Sequence, residues 1–233
     1  MFAVDTRRNI CFIRYMASKK VPLATGEYYH IFNRGVAKMR IFSNFYDFNR
    51  FLKCVLYYQI DGQKPRFSIF TPETYELDSS KKIVDIISYC FMPNHFHFML
   101  KQTRDGGISE FISKISNSYT KYFNIKNARV GPILQGDFKA VHIESNEQLL
   151  HVTRYIHLNP LIGFVVKDLE IYKWSSYSEY TDLISDGICE KDIILGQFET
   201  KVDYKQFVLD HIDYAKRLDY IKHLLLDYES GWV

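Results

Sequence analysis

Cysteine is scarce: the 233 residues contain four, Cys11, Cys54, Cys90 and Cys189. They lie far apart and form no CxxC pair, which argues against a zinc knuckle or a disulfide scaffold and suits a reducing cytosol. No apolar run approaches the ~20 residues of a membrane span, so the expectation is a soluble, cytoplasmic chain. No P-loop or other Gly-rich phosphate motif is present, and no internal repeat or low-complexity segment. Neither charge dominates: 30 Lys and Arg face 27 Asp and Glu, a net of +3, which by itself does not indicate nucleic acid.

Aromatic residues are abundant, at 16% with 18 Tyr and 18 Phe. They fill cores, and they also stack on unpaired bases; composition does not choose between the two. With 47% hydrophobic and 24% charged residues the chain is ordinary globular material. Its length suits one domain or a domain with an appendage.

The pattern predicts a strand at 28–33, closed by Arg34-Gly35, and a helix capped by Asn44 or Ser43 and running to about Ile60, with Phe48, Phe51, Leu52, Val55 and Leu56 at helical spacing. Residues 83–92 read as a buried strand, and 95–100 as its hairpin partner across Pro93-Asn94. A second helix follows at 108–124, a short strand at 138–143, and a third helix at 145–158. Ser145 with Gln148 forms a capping box there, and Pro160 is expected to stop the helix. This βαββαβ order describes a ferredoxin-like α+β sandwich with extra C-terminal helices. The expected units are an N-terminal extension (1–25), a main domain (26–180) and a C-terminal helical appendage (181–233), with Leu218, Ile221, Leu225 and Tyr228 at helical spacing.

Charge is uneven along the chain. Between 101 and 142 stand Lys101, Arg104, Lys114, Lys121, Lys126, Arg129 and Lys139 against Asp105, Glu110 and Asp137. The C-terminal stretch is acidic. A basic middle makes an anionic ligand plausible, and a solvated helix face would look the same.

Two constellations could carry chemistry. In His95-Phe96-His97, strand alternation points both imidazoles to one face and Phe96 inward. Such a pair can bind a divalent ion, or can be satisfied core histidines. In Arg154-Tyr155-Ile156-His157-Leu158-Asn159-Pro160, Tyr155 and Asn159 share a helix face. Asn159 offers a hard amide oxygen, or simply ends a helix before proline. Tyr119 and Tyr122 have Phe123 and Lys126 as their +4 partners, which cannot complete a cation site. His151, one turn before Tyr155, could be a nearby acid/base or DNA contact.

Together these motifs resemble the HUH single-tyrosine transposases, specifically the REP-associated tyrosine transposase branch, over roughly 26–180. The resemblance is carried by Tyr29-His30-Ile31-Phe32-Asn33-Arg34-Gly35, Met92-Pro93-Asn94-His95-Phe96-His97, the stretch from Gly131 to Lys139, the Tyr155 motif, and Trp174-Ser175-Ser176-Tyr177. Leu134 departs from it, at a place where the family usually has tryptophan.

The resemblance implies metal-dependent nicking and strand transfer of single-stranded DNA beside imperfect hairpins, through a covalent 5′-phosphotyrosine. Tyr155 would be the nucleophile. His95, His97 and Asn159 would hold Mg²⁺ or Mn²⁺. Lys114, Lys121, Arg129, Lys139 and Arg154 would contact DNA. Ionising an ordinary tyrosine at pH 7 costs about 4 kcal/mol, which a divalent ion at the phosphate can offset. The protein would be a nucleoid-associated monomer rather than a homodimer. The competing expectation is a non-catalytic module of the same fold that binds single-stranded or hairpin nucleic acid.

Overall fold

The computed structural model describes residues 22–71, 78–185, 187–210 and 212. The N-terminal extension up to residue 21 and the spaced residues Leu218 to Tyr228 lie outside them.

The chain runs β1 (Tyr28–Arg34), α1 (Phe45–Gln59), β2 (Val84–Met92), β3 (His95–Gln102), α2 (Gly107–Lys126), β4 (Lys139–Ile143) and α3 (Asn146–Ile162). Three shorter helices follow: α4 (Tyr177–Tyr180), α5 (Asp192–Leu195) and α6 (Lys201–Leu209). The four strands form one sheet in the order β2-β3-β1-β4, and every pairing is antiparallel. This is an α+β fold with a central antiparallel sheet, consistent with a ferredoxin-like arrangement.

Strand alternation divides the sheet into two faces. Tyr29, Ile31, Phe96, Phe98 and Leu100 point to one side, where they pack with Phe51, Val55, Phe111 and Ile115 of α1 and α2. Cys90, Met92, Met99 and Ile143 point to the other, where Leu149, Ile156 and Leu158 of α3 cover them. Tyr180, Tyr204 and Val208 are fully buried in this second cluster, so the core over α3 draws on chain beyond residue 180.

Helix ends follow their side chains. Asn44 accepts from the Asp47 N–H at 3.2 Å, and the Asp47 carboxylate accepts from the Ser43 N–H at 3.0 Å. At α3, Ser145 Oγ accepts from the Gln148 N–H at 3.2 Å, while the Gln148 side chain reaches past Ser145 to the Glu144 N–H at 2.7 Å. The expected stop at Pro160 does not occur. Pro160 lies inside α3, which continues to a cap at Gly163. A proline there removes one backbone hydrogen bond; burial of Leu161 and Ile162 in the second cluster offsets that loss.

Two further segments extend the sheet's ends. The Phe91 N–H donates to the Trp174 carbonyl (2.8 Å) and the Ser176 N–H to the Tyr89 carbonyl (3.0 Å), so Trp174-Ser175-Ser176 runs along the outer edge of β2. The Gln135 N–H donates to the Arg34 carbonyl (2.8 Å) and the Val36 N–H to the Ile133 carbonyl (2.9 Å), which ties residues 133–135 to the end of β1. Gly35 is required at that junction, because a Cβ on it would stand 2.3 Å from the Met39 carbonyl oxygen.

Candidate active site

The site lies where β1 and β3 pass beneath α3. Across the sheet, Phe32 pairs with His97 on one side and with Lys139 on the other, and Arg34 pairs with His95. Opposed residues share a face, so His95, His97, Arg34 and Lys139 all project toward the α3 side. The tight turn at Pro93-Asn94 starts β3 and sets this phase; the Ile41 and Phe42 N–H groups both donate to the Pro93 carbonyl, at 2.8 and 3.0 Å.

From above, α3 brings Tyr155 and Asn159 one turn apart. The Tyr155 ring meets His97 edge-on, with centroids 5.5 Å apart at 81°, and meets His30 at 5.9 Å. Its side is 37% exposed, so the only tyrosine over the two histidines among those weighed from the sequence is also reachable from solvent. Asn159 is buried; its Nδ2 donates to the Tyr155 carbonyl at 2.9 Å. His95 and His97 meet edge-on, with ring centroids 4.9 Å apart. Thus His95, His97, Tyr155 and Asn159 form one cluster.

Burial pushes the His95 imidazole down to about 4, the neighbouring Arg34 cation pushes in the same direction, and the nearby Asn159 amide opposes both. The ring is therefore neutral at pH 7, the state in which an imidazole ligates a metal. Asn94 Oδ1 lies 2.6 Å from His95 Nδ1. An amide oxygen can only accept, so in the neutral ring the proton sits on Nδ1 and the lone pair on Nε2. Among the described residues no group of three His, Cys, Asp or Glu side chains could hold a metal ion. Two imidazoles and an amide oxygen are a donor set outside that count, and one whose chemistry suits a hard to borderline divalent cation.

The remaining expected site residues are dispersed. Lys139 is exposed on the site face. Lys114 and Lys121 sit on α2, in the layer behind the sheet, along a groove shared with Arg50, Phe67 and Tyr122; Lys114 pairs there with Glu110 at 2.6 Å. Arg129 is held at the α2 terminus by the Pro132 carbonyl, 3.3 Å away. Arg154 is 7% exposed and lies under α6, with its guanidinium 4.3 Å from the centroid of the Phe207 ring and donating to His151 Nδ1 at 2.6 Å. The competing tyrosines point away from the site. The Tyr119 hydroxyl donates to the Ile41 carbonyl at 2.5 Å, and that of Tyr122 to Asp47 at 3.0 Å; burial raises both above the ordinary tyrosine range.

Sequence reasoning missed Arg34 and His30. Arg34 opposes His95, and its Nε is buried without a hydrogen-bond partner. His30 Nε2 stands 2.9 Å from His97 Nδ1. The signal available was strand alternation: His30, Phe32 and Arg34 share one face of β1, as His95 and His97 do on β3.

Residues 73–159 match the family model of IS200-like transposases. The matched segment contains all four residues of the cluster. It supports a transposase-type activity in general. None of the curated proteins compared matches the chain. Among solved structures, a REP-associated tyrosine transposase bound to a REP hairpin is similar in fold, with a TM-score of 0.51 and 12% identity over 76% of this chain and 98% of that one.

Proposed function

We propose that this protein nicks single-stranded DNA beside hairpins and transfers the cut strand, with Tyr155 as nucleophile, on a ferredoxin-like HUH domain. The observation that carries the reading is the cluster itself: a solvent-reachable Tyr155 set edge-on against His97, one turn from Asn159, with His95 beside His97. The transposase family match over the same residues supports it, and the similar fold of a hairpin-bound transposase supports the choice of DNA.

In the proposed step the Tyr155 Oη forms a bond to phosphorus and the bond from phosphorus to the 3′ oxygen breaks. The phenol loses a proton and the departing oxygen gains one, leaving a free 3′-OH and a 5′-phosphotyrosine. Attack by another 3′-OH reverses the step and regenerates the phenol, so no nucleotide is consumed. His95, His97 and Asn159 would hold Mg²⁺ or Mn²⁺, which when bound supplies charge neutralisation at the scissile phosphate. Arg34 and Lys139, on the same face, would bind and orient that phosphate strand. Lys114, Lys121 and Arg129, behind the sheet and at its end, would meet DNA farther from the cut. The reading is of a monomer rather than a homodimer.

The test is incubation with end-labelled hairpin DNA carrying single-stranded flanks, in Mg²⁺ or Mn²⁺, on a denaturing gel. Label from the 5′-phosphate side of the cut should migrate with protein, and Tyr155→Phe should abolish that band while still binding DNA. A band that persists in Tyr155→Phe overturns the assignment.

A further inference from the structure

His30 is not among the residues that would touch DNA or a cation, yet its Nε2 lies 2.9 Å from His97 Nδ1. The two residues are diagonal neighbours on adjacent strands, since His30 opposes Met99 and Phe32 opposes His97. Their rings stack with centroids 5.1 Å apart at 23°, and Phe32 and Tyr155 flank His30 at 5.0 and 5.9 Å. His30 is 9% exposed and His97 5%, so water does not substitute freely for either partner.

A neutral imidazole has one N–H and one lone pair, and a bond at one nitrogen decides which is presented at the other. If His97 donates from Nδ1 to His30, its lone pair sits on Nε2. If His30 donates instead, His97 carries its proton on Nε2 and that nitrogen cannot ligate. His95 shows the same device, with Asn94 Oδ1 at its Nδ1. Both histidines of the cluster thus have Nδ1 engaged by a neighbour, from β1 in one case and from the hairpin turn in the other.

We propose that His30 is a positioning residue, whose Nε2 accepts the Nδ1–H of His97 and so holds that ring with its lone pair on Nε2 for a divalent cation. This rests on the reading of His97 as a ligand. His30 contributes no bond to the reacting atoms; it acts through His97, as outer-shell partners of ligating histidines do.

Two measurements on the full chain test it. Imidazole ¹⁵N shifts of the metal-free wild type should show His97 protonated on Nδ1; protonation on Nε2 overturns the proposal, and no variant has to fold. Titration with Mn²⁺ in the absence of DNA, followed by electron paramagnetic resonance, should show about a 10- to 100-fold weaker affinity in His30→Phe, which keeps a ring but has no acceptor. His30→Gln, which restores an acceptor oxygen, should return most of that affinity. An unchanged affinity in His30→Phe, with His97→Ala losing the ion, overturns the role of His30 alone. An unchanged affinity in His97→Ala removes the ligand reading and the proposal with it.

Discussion

The hydroxyl of Tyr204 on α6 lies 2.7 Å from Nδ1 of His157 on α3. On its other side His157 Nε2 meets Ser176 Oγ at 2.8 Å, and the same Ser176 Oγ accepts from the Tyr89 N–H at 2.9 Å. A chain of side chains therefore runs from α6 through α3 to β2. His157 sits two residues after Tyr155, so this buried network fixes the rotation of the helix that presents Tyr155 over the sheet.

Tyr204→Ala should destabilise the protein by about 3–5 kcal/mol, through a cavity in the core and an orphaned His157 nitrogen. Tyr204 is fully buried, and truncation before Phe198 should be at least as harmful. Urea unfolding of the full chain and the truncation checks this. Wild-type stability after truncation would show that α6 is dispensable.

Stability should fall in acid through His157. Burial pushes its imidazole from 6.5 down to about 3. Between those values the unfolded chain binds a proton that the folded one does not, so the contribution is complete above pH 6.5 and lost as pH falls toward 3. Its full size is on the order of 5 kcal/mol. Unfolding free energies from pH 7 to 4 should show a flatter slope in His157→Gln than in the wild type; parallel slopes would exclude this residue as a source.

His95→Ala and His97→Ala should each lose metal-dependent cleavage while remaining folded. Both substitutions act on the site side of the sheet, whereas the neighbouring Phe96 and Phe98 fill the core. Cleavage assays with circular dichroism on the same samples separate the two effects. Full cleavage in the double variant would remove the metal assignment.

Tyr119→Phe should keep adduct formation and cost about 1 kcal/mol, because it deletes one buried hydrogen bond, to the Ile41 carbonyl. Loss of the adduct in this variant at unchanged stability would move the nucleophile to α2.

Arg34→Gln should weaken binding to hairpin DNA with single-stranded flanks and reduce the slope of log affinity against log salt by about one, as expected for a phosphate contact. Lys139→Ala should do the same. Arg154→Ala should lower stability and leave the salt slope unchanged, because its guanidinium is stacked on Phe207. Fluorescence anisotropy over a salt series distinguishes these outcomes.

Much of the architecture is local in origin and was legible from the chain. Period-2 alternation at 95–98 assigns His95 and His97 to one face and Phe96 and Phe98 to the other; the Ser145 and Asn44 caps mark where α3 and α1 begin; the i, i+4 spacing puts Tyr155 and Asn159 together. These follow from backbone geometry that each short segment carries with it. Tertiary structure decided what meets across distance. Packing of Leu161 and Ile162 carried α3 through Pro160, against the local preference. The α6 contact buried Arg154, which as a bare sequence position reads as a cation available to phosphate. The β1–β3 register placed His30 against His97 and Arg34 beside His95. None of these pairings has a local signature, because strand register and helix docking are set by which apolar faces are buried together, and that is a property of the whole core.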